Sequence, residues 1–183
     1  MLTLITFYNA RWYKSILFTF PGKCFSDPGT CKHKGLTIST WIKINKNSLN
    51  DNSSSYLLSS GGQTTKARGF ALLHMKNQFI LILSTKDRQW KLEVPLLPDN
   101  WFNLAFTWKN AGVLKLYVNG TTITSAKPIS VSRPKDTFTE FVLGRPNNSL
   151  RPEYMTPIEI DNLALWERAL AEQELKSLYE KGK

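Results

Sequence analysis

Apolar and polar residues alternate with a period of two in short runs, and turn-forming residues separate the runs, which is the pattern of antiparallel strands buried on one face. In Leu36 to Ile44 the residues Leu36, Ile38, Ile42 and Ile44 share one side of a strand and Trp41 lies on the other. The same rhythm predicts strands at Ser55 to Ser59, Gly69 to Met75, Gln78 to Ser84, Trp90 to Val94, Asn103 to Trp108, Val113 to Val118, Thr122 to Ser125, Glu140 to Leu143 and Ile158 to Trp166. Asn119-Gly120 suits a two-residue hairpin turn of type I′, which needs positive φ at both positions. The stretches 45–54, 60–68 and 127–135 read as loops.

The period changes once, near the end. Leu170, Leu175, Leu178 and Tyr179 fall on one helical face, Glu172 and Glu174 occupy the first turn, and Lys181 with Gly182 closes the run. Ala171 stands where a Ser would complete a capping box with Glu174, so the helix start is expected to fray. Many short strands and one helix make an all-β chain, an antiparallel sandwich or barrel whose edge or seam the helix covers. One domain is expected over 15–183, preceded by a segment 1–14 that fits no strand in this scheme.

Composition narrows the class. The chain has 183 residues, 42% of them hydrophobic, which suffices for a core without metal or a disulfide framework and excludes a disordered or collagenous chain. Its apolar runs are of strand length, so no segment of this domain is expected to insert in a membrane. Twenty-four Lys and Arg against 14 Asp and Glu leave a net charge of +10, which favours acidic partners. Lys32, Lys34, Lys43 and Lys46 form the densest group, and nothing resembles a basic arm or a recognition helix for nucleic acid.

Cys24 and Cys31 flank FSDPGT, whose turn formers allow a disulfide; a zinc site lacks further ligands at suitable spacing, and two free thiols are the remaining reading. Sequons at Asn52, Asn119 and Asn147 fall in polar stretches where glycans can be carried, and point with the cysteines to an oxidising, extracellular setting. MLTLITFYNARWYK has no leading charge and no convincing cleavage site, so a clear signal peptide is not legible, and the chain reads as part of a longer secreted protein or an ectodomain.

The order of motifs carries a resemblance. The cysteine loop, GLTISTWIKI, YLLSSGGQ, RGFALL, LPDNWFNLAFTWKNAGVLKLYVNGTTI, FVLGRP and IEIDNLALWERALAEQEL together resemble a LamG-like, pentraxin-like jelly roll of the concanavalin A-like superfamily, over about residues 15 to 182. The resemblance implies a jelly-roll β-sandwich of the kind found in extracellular adhesion proteins. Physically, Leu104, Phe106 and Trp108 alternate inward against Leu114, Leu116 and Val118, so Trp101, Trp108 and Trp166 are expected in the core. Trp90 and Trp41 are less patterned and stand as candidates for exposed recognition.

The same superfamily includes laminarinase-type glucan hydrolases, which place a nucleophile Glu, a helper Asp and an acid/base Glu on one strand as E-x-D-x-E or E-x-D-x-x-E. Here Glu159 and Asp161 match and the last carboxylate is replaced by Leu163 or Ala164, with Glu153 and Glu167 out of register. No G-x-S-x-G, H-E-x-x-H, P-loop or dinucleotide fingerprint is present, Gly61-Gly62 reads as a turn, and His74 sits in an apolar strand. The resemblance also implies calcium in some members, for which Asp161, Asn162 and Glu159 are the candidate ligands, with no other cofactor expected. The reading is a non-catalytic extracellular module that binds a protein or glycan; a basic glycosaminoglycan-binding module is the alternative, and a glycoside hydrolase the weakest one.

Overall fold

The computed structural model describes residues 2–5, 10–12, 16–19, 23–44, 54–62, 67–76, 78–95, 100–110, 112–132, 138, 140–148, 154 and 158–182. Among these, fourteen strands form two antiparallel sheets, and one helix follows. The strands are β1 (Leu2–Ile5), β2 (Ala10–Trp12), β3 (Ile16–Thr19), β4 (Gly35–Ile44), β5 (Ser55–Ser59), β6 (Gly69–Met75) and β7 (Gln78–Ser84). They continue with β8 (Arg88–Pro95), β9 (Phe102–Lys109), β10 (Leu114–Val118), β11 (Thr121–Ala126), β12 (Ile129–Ser130), β13 (Glu140–Leu143) and β14 (Ile158–Trp166); α1 spans Glu172–Gly182. The first sheet runs β1-β14-β4-β9-β10-β11 with β2 also on β14, and the second runs β12-β8-β7-β6-β5-β13-β3.

The alternation in the sequence is the cause of this layering. Leu36, Ile38, Ile42 and Ile44 of β4, Phe106 and Trp108 of β9 and Leu114 and Leu116 of β10 are buried in one core with Phe70, Leu81, Trp90 and Phe141 of the second sheet. Phe70 lies 5.3 Å from Phe106 and 5.6 Å from Phe141, so aromatic rings bridge the sheets at the centre. The β10–β11 hairpin turns at Asn119 (φ 52°) and Gly120 (φ 75°), with Val118 opposite Thr121, as the Asn-Gly pair predicts.

Four expectations change. Within 1–14, the described residues Leu2–Ile5 and Ala10–Trp12 belong to the domain: β1 pairs with β14 from Leu2↔Trp166 to Ile5↔Leu163, and β2 pairs with the other half of the same strand. The stretch 127–135 contains the two-residue strand β12 on the edge of the second sheet. Trp101 is 38% exposed because it precedes β9, Trp166 is half-buried on the outer side of the first sheet, and Trp108 is buried between the sheets. Finally, of the edge or seam expected for α1, it takes the edge, beside β11, and not the seam between the sheets. It lies on the outer face of the first sheet, where Leu175 and Leu170 pack with Ala105, Tyr117 and Trp166.

The start of α1 is braced rather than frayed. Glu174 accepts a hydrogen bond from the Ala171 backbone N–H at 2.8 Å, the half of the capping box that needs no Ser, and Arg168 grips the same carboxylate with two nitrogens at 2.6 and 3.0 Å. The Thr37 hydroxyl adds a tether from β4, donating to the Arg168 carbonyl at 2.7 Å and accepting from the Leu170 N–H at 2.9 Å.

Candidate functional site

One hollow opens at the disulfide end of the sandwich and another on the outer face of the first sheet. The larger, about 410 Å³, opens at the disulfide end of the sandwich and is lined by Asp27, Arg68, Thr85, Lys86, Arg88 and Asn110 among others. Cys24 and Cys31 are bonded with their Cα atoms 4.4 Å apart, so the turn formers between them do close a loop. A 3-10 turn at Pro28–Thr30 and the bond from the Cys31 N–H to the Pro28 carbonyl at 3.2 Å hold that loop shut.

Arg68, from a loop forty-one residues further on, meets the Asp27 carboxylate through Nη1, and both side chains are almost buried, at 11% and 9% exposure. The Ser60 hydroxyl ties the same two loops together by donating to the Phe25 carbonyl at 2.7 Å. That approach requires glycine: Gly69 has φ 115°, and a Cβ there would lie 2.6 Å from the Ser60 carbonyl oxygen. The β7–β8 turn adds Lys86, exposed, and Arg88, half-exposed, while the Asn110 N–H donates to the Lys34 carbonyl at 2.7 Å and brings the β9–β10 turn alongside. Lys32 and Lys34 are exposed on the disulfide loop itself.

The basic group legible along the chain is therefore split. Extended strand rises ~3.3 Å per residue, so the length of β4 puts about 30 Å between Lys34 and Lys43, which lie at its opposite ends. Lys43 is engaged elsewhere, in an ion pair of 3.3 Å with Glu159. Lys46 and Asn52 lie outside the described residues. Arg68, Lys86 and Arg88 take the places of Lys43 and Lys46 beside Lys32 and Lys34; they come from segments far apart in the chain, and no local pattern marks them as neighbours.

Trp90 is not an exposed recognition residue. It is fully buried, stands edge-on to Trp108 at 5.4 Å between centroids, and donates its indole N–H to the Gly112 carbonyl at 3.0 Å. The strict alternation of buried Trp90, Leu92 and Val94 with exposed Lys91, Glu93 and Pro95 carries the signal that places it inward. His74 is likewise fully buried, 6.0 Å from the Phe79 ring.

The smaller hollow, about 300 Å³, lies between the last turn of α1 and the outer face of the first sheet. Its floor is made by Ser39 and Ala164, its sides by Trp41 and Trp166, and Leu178 and Gly182 of α1 stand over it. Trp41 is stacked on Tyr179 at 5.6 Å, so this half-buried indole, unlike Trp90, remains at a surface.

Strand β14 carries the acidic candidates. Glu159 faces Lys43 in the ladder and Asp161 is opposite Trp41; the register slips between Asp161 and Ala164, with Asn162 left-handed at φ 52°. Leu163 and Ala164, at the positions of the missing third carboxylate, are buried, and Glu153 lies outside the described residues. Calcium asks for six to eight oxygens. Glu159 is held by a lysine, Asp161 Oδ1 is buried without a hydrogen-bond partner, and no group of three His, Cys, Asp or Glu side chains stands together among the described residues. Of the described sequons, Asn119 is exposed at the hairpin tip, whereas the Asn147 amide is tied on both sides, donating to the Glu140 carbonyl at 2.6 Å and accepting from the Ser59 hydroxyl.

Residues 21–176 match the family model described as the concanavalin A-like lectin/glucanases superfamily. The chain belongs to that superfamily. It is similar to adhesion G-protein coupled receptor D1 of Homo sapiens, 29% identical over 159 residues, which is 85% of this chain and 17% of the receptor. The Bos taurus receptor of the same name is 29% identical over 157 residues, 83% of this chain and 16% of that one. The chain thus spans about a sixth of the length of these relatives. Among solved structures, the botulinum neurotoxin serotype D binding domain shares the fold with a TM-score of 0.66 at 17% identity, covering 98% of this chain and 42% of that one. The binding domain of botulinum neurotoxin DC in complex with rat synaptotagmin II also has a TM-score of 0.66, at 12% identity, covering 100% of this chain and 47% of that one. No helix among the described residues is long and apolar enough to cross a membrane.

Proposed function

We propose that this superfamily member is a non-catalytic, extracellular recognition module whose disulfide end binds an acidic glycan. The observation that carries the reading is the rim hollow of about 410 Å³, in which Arg68, Lys86 and Arg88 converge on loops held by a disulfide and an almost buried ion pair. Rigidly held loops lose little entropy on binding, and Arg and Lys at the mouth of a concave surface concentrate an anion there. Arg68 and Asp27 offset each other as an ion pair, and Asp87, 4.0 Å from Arg88 Nε, lies on the same rim, so the excess positive charge there comes from Lys86 with Arg88. The net charge of +10 acts in the same direction over the whole surface.

Two features support recognition without catalysis. A retaining hydrolase needs a second carboxylate about 5 Å from the first across the scissile bond, and β14 offers buried Leu163 and Ala164 at those positions. The one matching nucleophile position, Glu159, is paired with Lys43. The extracellular setting rests on the disulfide and on the similarity to an adhesion receptor.

The test is retention on immobilised heparin with a salt titration. Log affinity should fall linearly against log salt, and the pair Lys86→Glu with Arg88→Glu should remove most of the retention, while Lys43→Glu, at the far end of β4, changes it little. Equal losses from Lys43→Glu and from the rim pair would reduce the effect to bulk charge and sink the reading.

A further inference from the structure

We infer that Asn119 carries an N-linked glycan which shields the free edge of β11, while the sequon at Asn147 stays unmodified. The inference rests on the extracellular reading above, since the modification needs the secretory route, and it is independent of what the rim binds.

The Asn119 amide is oriented by its neighbour on β9. Its backbone N–H donates to the Asn103 carbonyl at 2.8 Å, and its Oδ1 accepts from the Asn103 N–H at 2.9 Å. A backbone N–H can meet only an acceptor, so the two ends of this side-chain amide are not interchangeable. Oδ1 faces Asn103, and Nδ2 has no partner among the described residues. Asn119 and Thr121, the first and last residues of the sequon, are both exposed.

Glycosylation consumes only what is free there. Nδ2 attacks the anomeric carbon of an oligosaccharide carried on a lipid diphosphate: the N–C bond forms, the C–O bond to phosphate breaks, the lipid diphosphate leaves and one amide proton passes to a base. Oδ1 is retained, so the bond from Asn103 survives and the folded turn accepts the sugar. Asn147 differs in this respect. Its Nδ2 donates to the Glu140 carbonyl at 2.6 Å, at the start of β13, and its Oδ1 accepts from the buried Ser59 hydroxyl of β5. The amide bridges two strands that are neighbours in the second sheet, and a sugar on Nδ2 would have to enter between them.

What the glycan covers follows from the topology. β11 is the last strand of the first sheet and pairs with β10 alone. Free edges invite a strand from another chain and are blunted by charge, proline or a bulge. Residues 121–126 contain neither charge nor proline, and Ile123 is 49% exposed. The defences present are the bulge opposite Leu116 and Tyr117 and the Glu172 carboxylate, which takes the Thr122 N–H at 3.4 Å at the start of the strand. Asn119 precedes β11 by two residues, so a glycan on it stands beside that edge. The same position lies at the opposite end of β10 from the turn that carries Asn110, and leaves the rim hollow uncovered.

The test is to secrete the full chain from mammalian cells behind an added leader and to map glycopeptides by mass spectrometry after enzymatic release in heavy-oxygen water. Asn119 should be occupied in most molecules and Asn147 in almost none. The leader imposes the route, so an empty Asn119 or an occupied Asn147 overturns the inference and leaves the extracellular reading untouched. Thr121→Ala removes the sequon and spares both bonds between Asn119 and Asn103. In light scattering this variant should gain mass with concentration where the glycosylated parent stays monomeric, and adding Ile123→Lys, which charges the edge, should restore the monomer. A Thr121→Ala chain that stays monomeric, or one whose association survives Ile123→Lys, overturns the shielding of β11.

Discussion

The two hollows are built in opposite ways. The rim hollow is assembled from loops, charged inside, and held by a covalent bond and an ion pair between segments distant in the chain. The helix hollow is assembled from ladder-paired strands, apolar on its walls, and closed by a helix that packs through Leu175 and Leu178, with Leu170 just before it. Loops need added constraints to hold a shape because their backbone hydrogen bonds are few, whereas a sheet face is rigid at no further cost. The comparison teaches that the rim should be sensitive to its staples, and the helix hollow to what holds the helix down.

The largest expected effect comes from removing a rim staple. Arg68→Met leaves the Asp27 carboxylate almost buried without its partner, and should cost about 3 kcal/mol in urea unfolding as well as rim binding. A loss confined to binding, with stability unchanged, would mean that water reaches Asp27 and that the pair is no staple. Next is the disulfide. Opening the short loop between Cys24 and Cys31 should cost roughly 2 to 3 kcal/mol by loop-closure entropy, measured with the double Ser variant, while the pH dependence that Glu174 sets at the start of α1 stays the same. Loss of that pH dependence as well would join what the comparison separates.

A smaller effect belongs to the helix. Arg168, and then the Ala171 N–H, hold the Glu174 carboxyl at about 2, below its ordinary 4.5. Because the folded value is lowered, this contribution to stability is complete above pH 4.5 and disappears as pH falls from 4.5 towards 2. Both side chains are largely exposed, so screening keeps the effect below about 1 kcal/mol. Glu174→Gln should therefore lower the melting midpoint slightly at neutral pH, and the difference from the parent chain should vanish in acid. A difference that persists at low pH would assign it to helix propensity instead. The smallest effect is on β14: calcium and chelator should give the same melting midpoint, and a calcium-dependent rise that disappears in Asp161→Asn would place an ion where the donor set argues against one.

The strands and the inner core were legible because period-two alternation is written locally and one buried face forces it into register. β5, β6, β7, β13 and β14 have the bounds that the pattern predicts, and the Asn-Gly turn has its positive φ at both residues. β1 and β2 were not legible, since their pairing depends on β14, at the other end of the chain. Trp90 was legible but misread: its own strand alternates without exception. Trp101 was misread for a different reason: β9 begins one residue later, at Phe102, and Trp101 stays outside the layer that the strand enters.

The candidate sites were legible only in fragments. Lys32 and Lys34 were visible as rim cations, but a count along the chain joined them to Lys43, which an extended strand carries to the other end of the sheet. Arg68, Lys86 and Arg88 had no marker, and neither did Ser39, Asn103 and Ala164, because small or polar residues on an outer face carry no periodic signal.

By itself the sequence determined the fold class, the inward faces, the hairpin, the helix and the disulfide loop, all of which depend on residues close in the chain or on a repeating period. Only the tertiary structure decided where cations gather, which tryptophans meet solvent, what face α1 covers and where hollows open. Those are properties of strands brought side by side across long sequence separations, and the free energy that aligns them is that of burying the core, to which the residues on the outer surface contribute almost nothing.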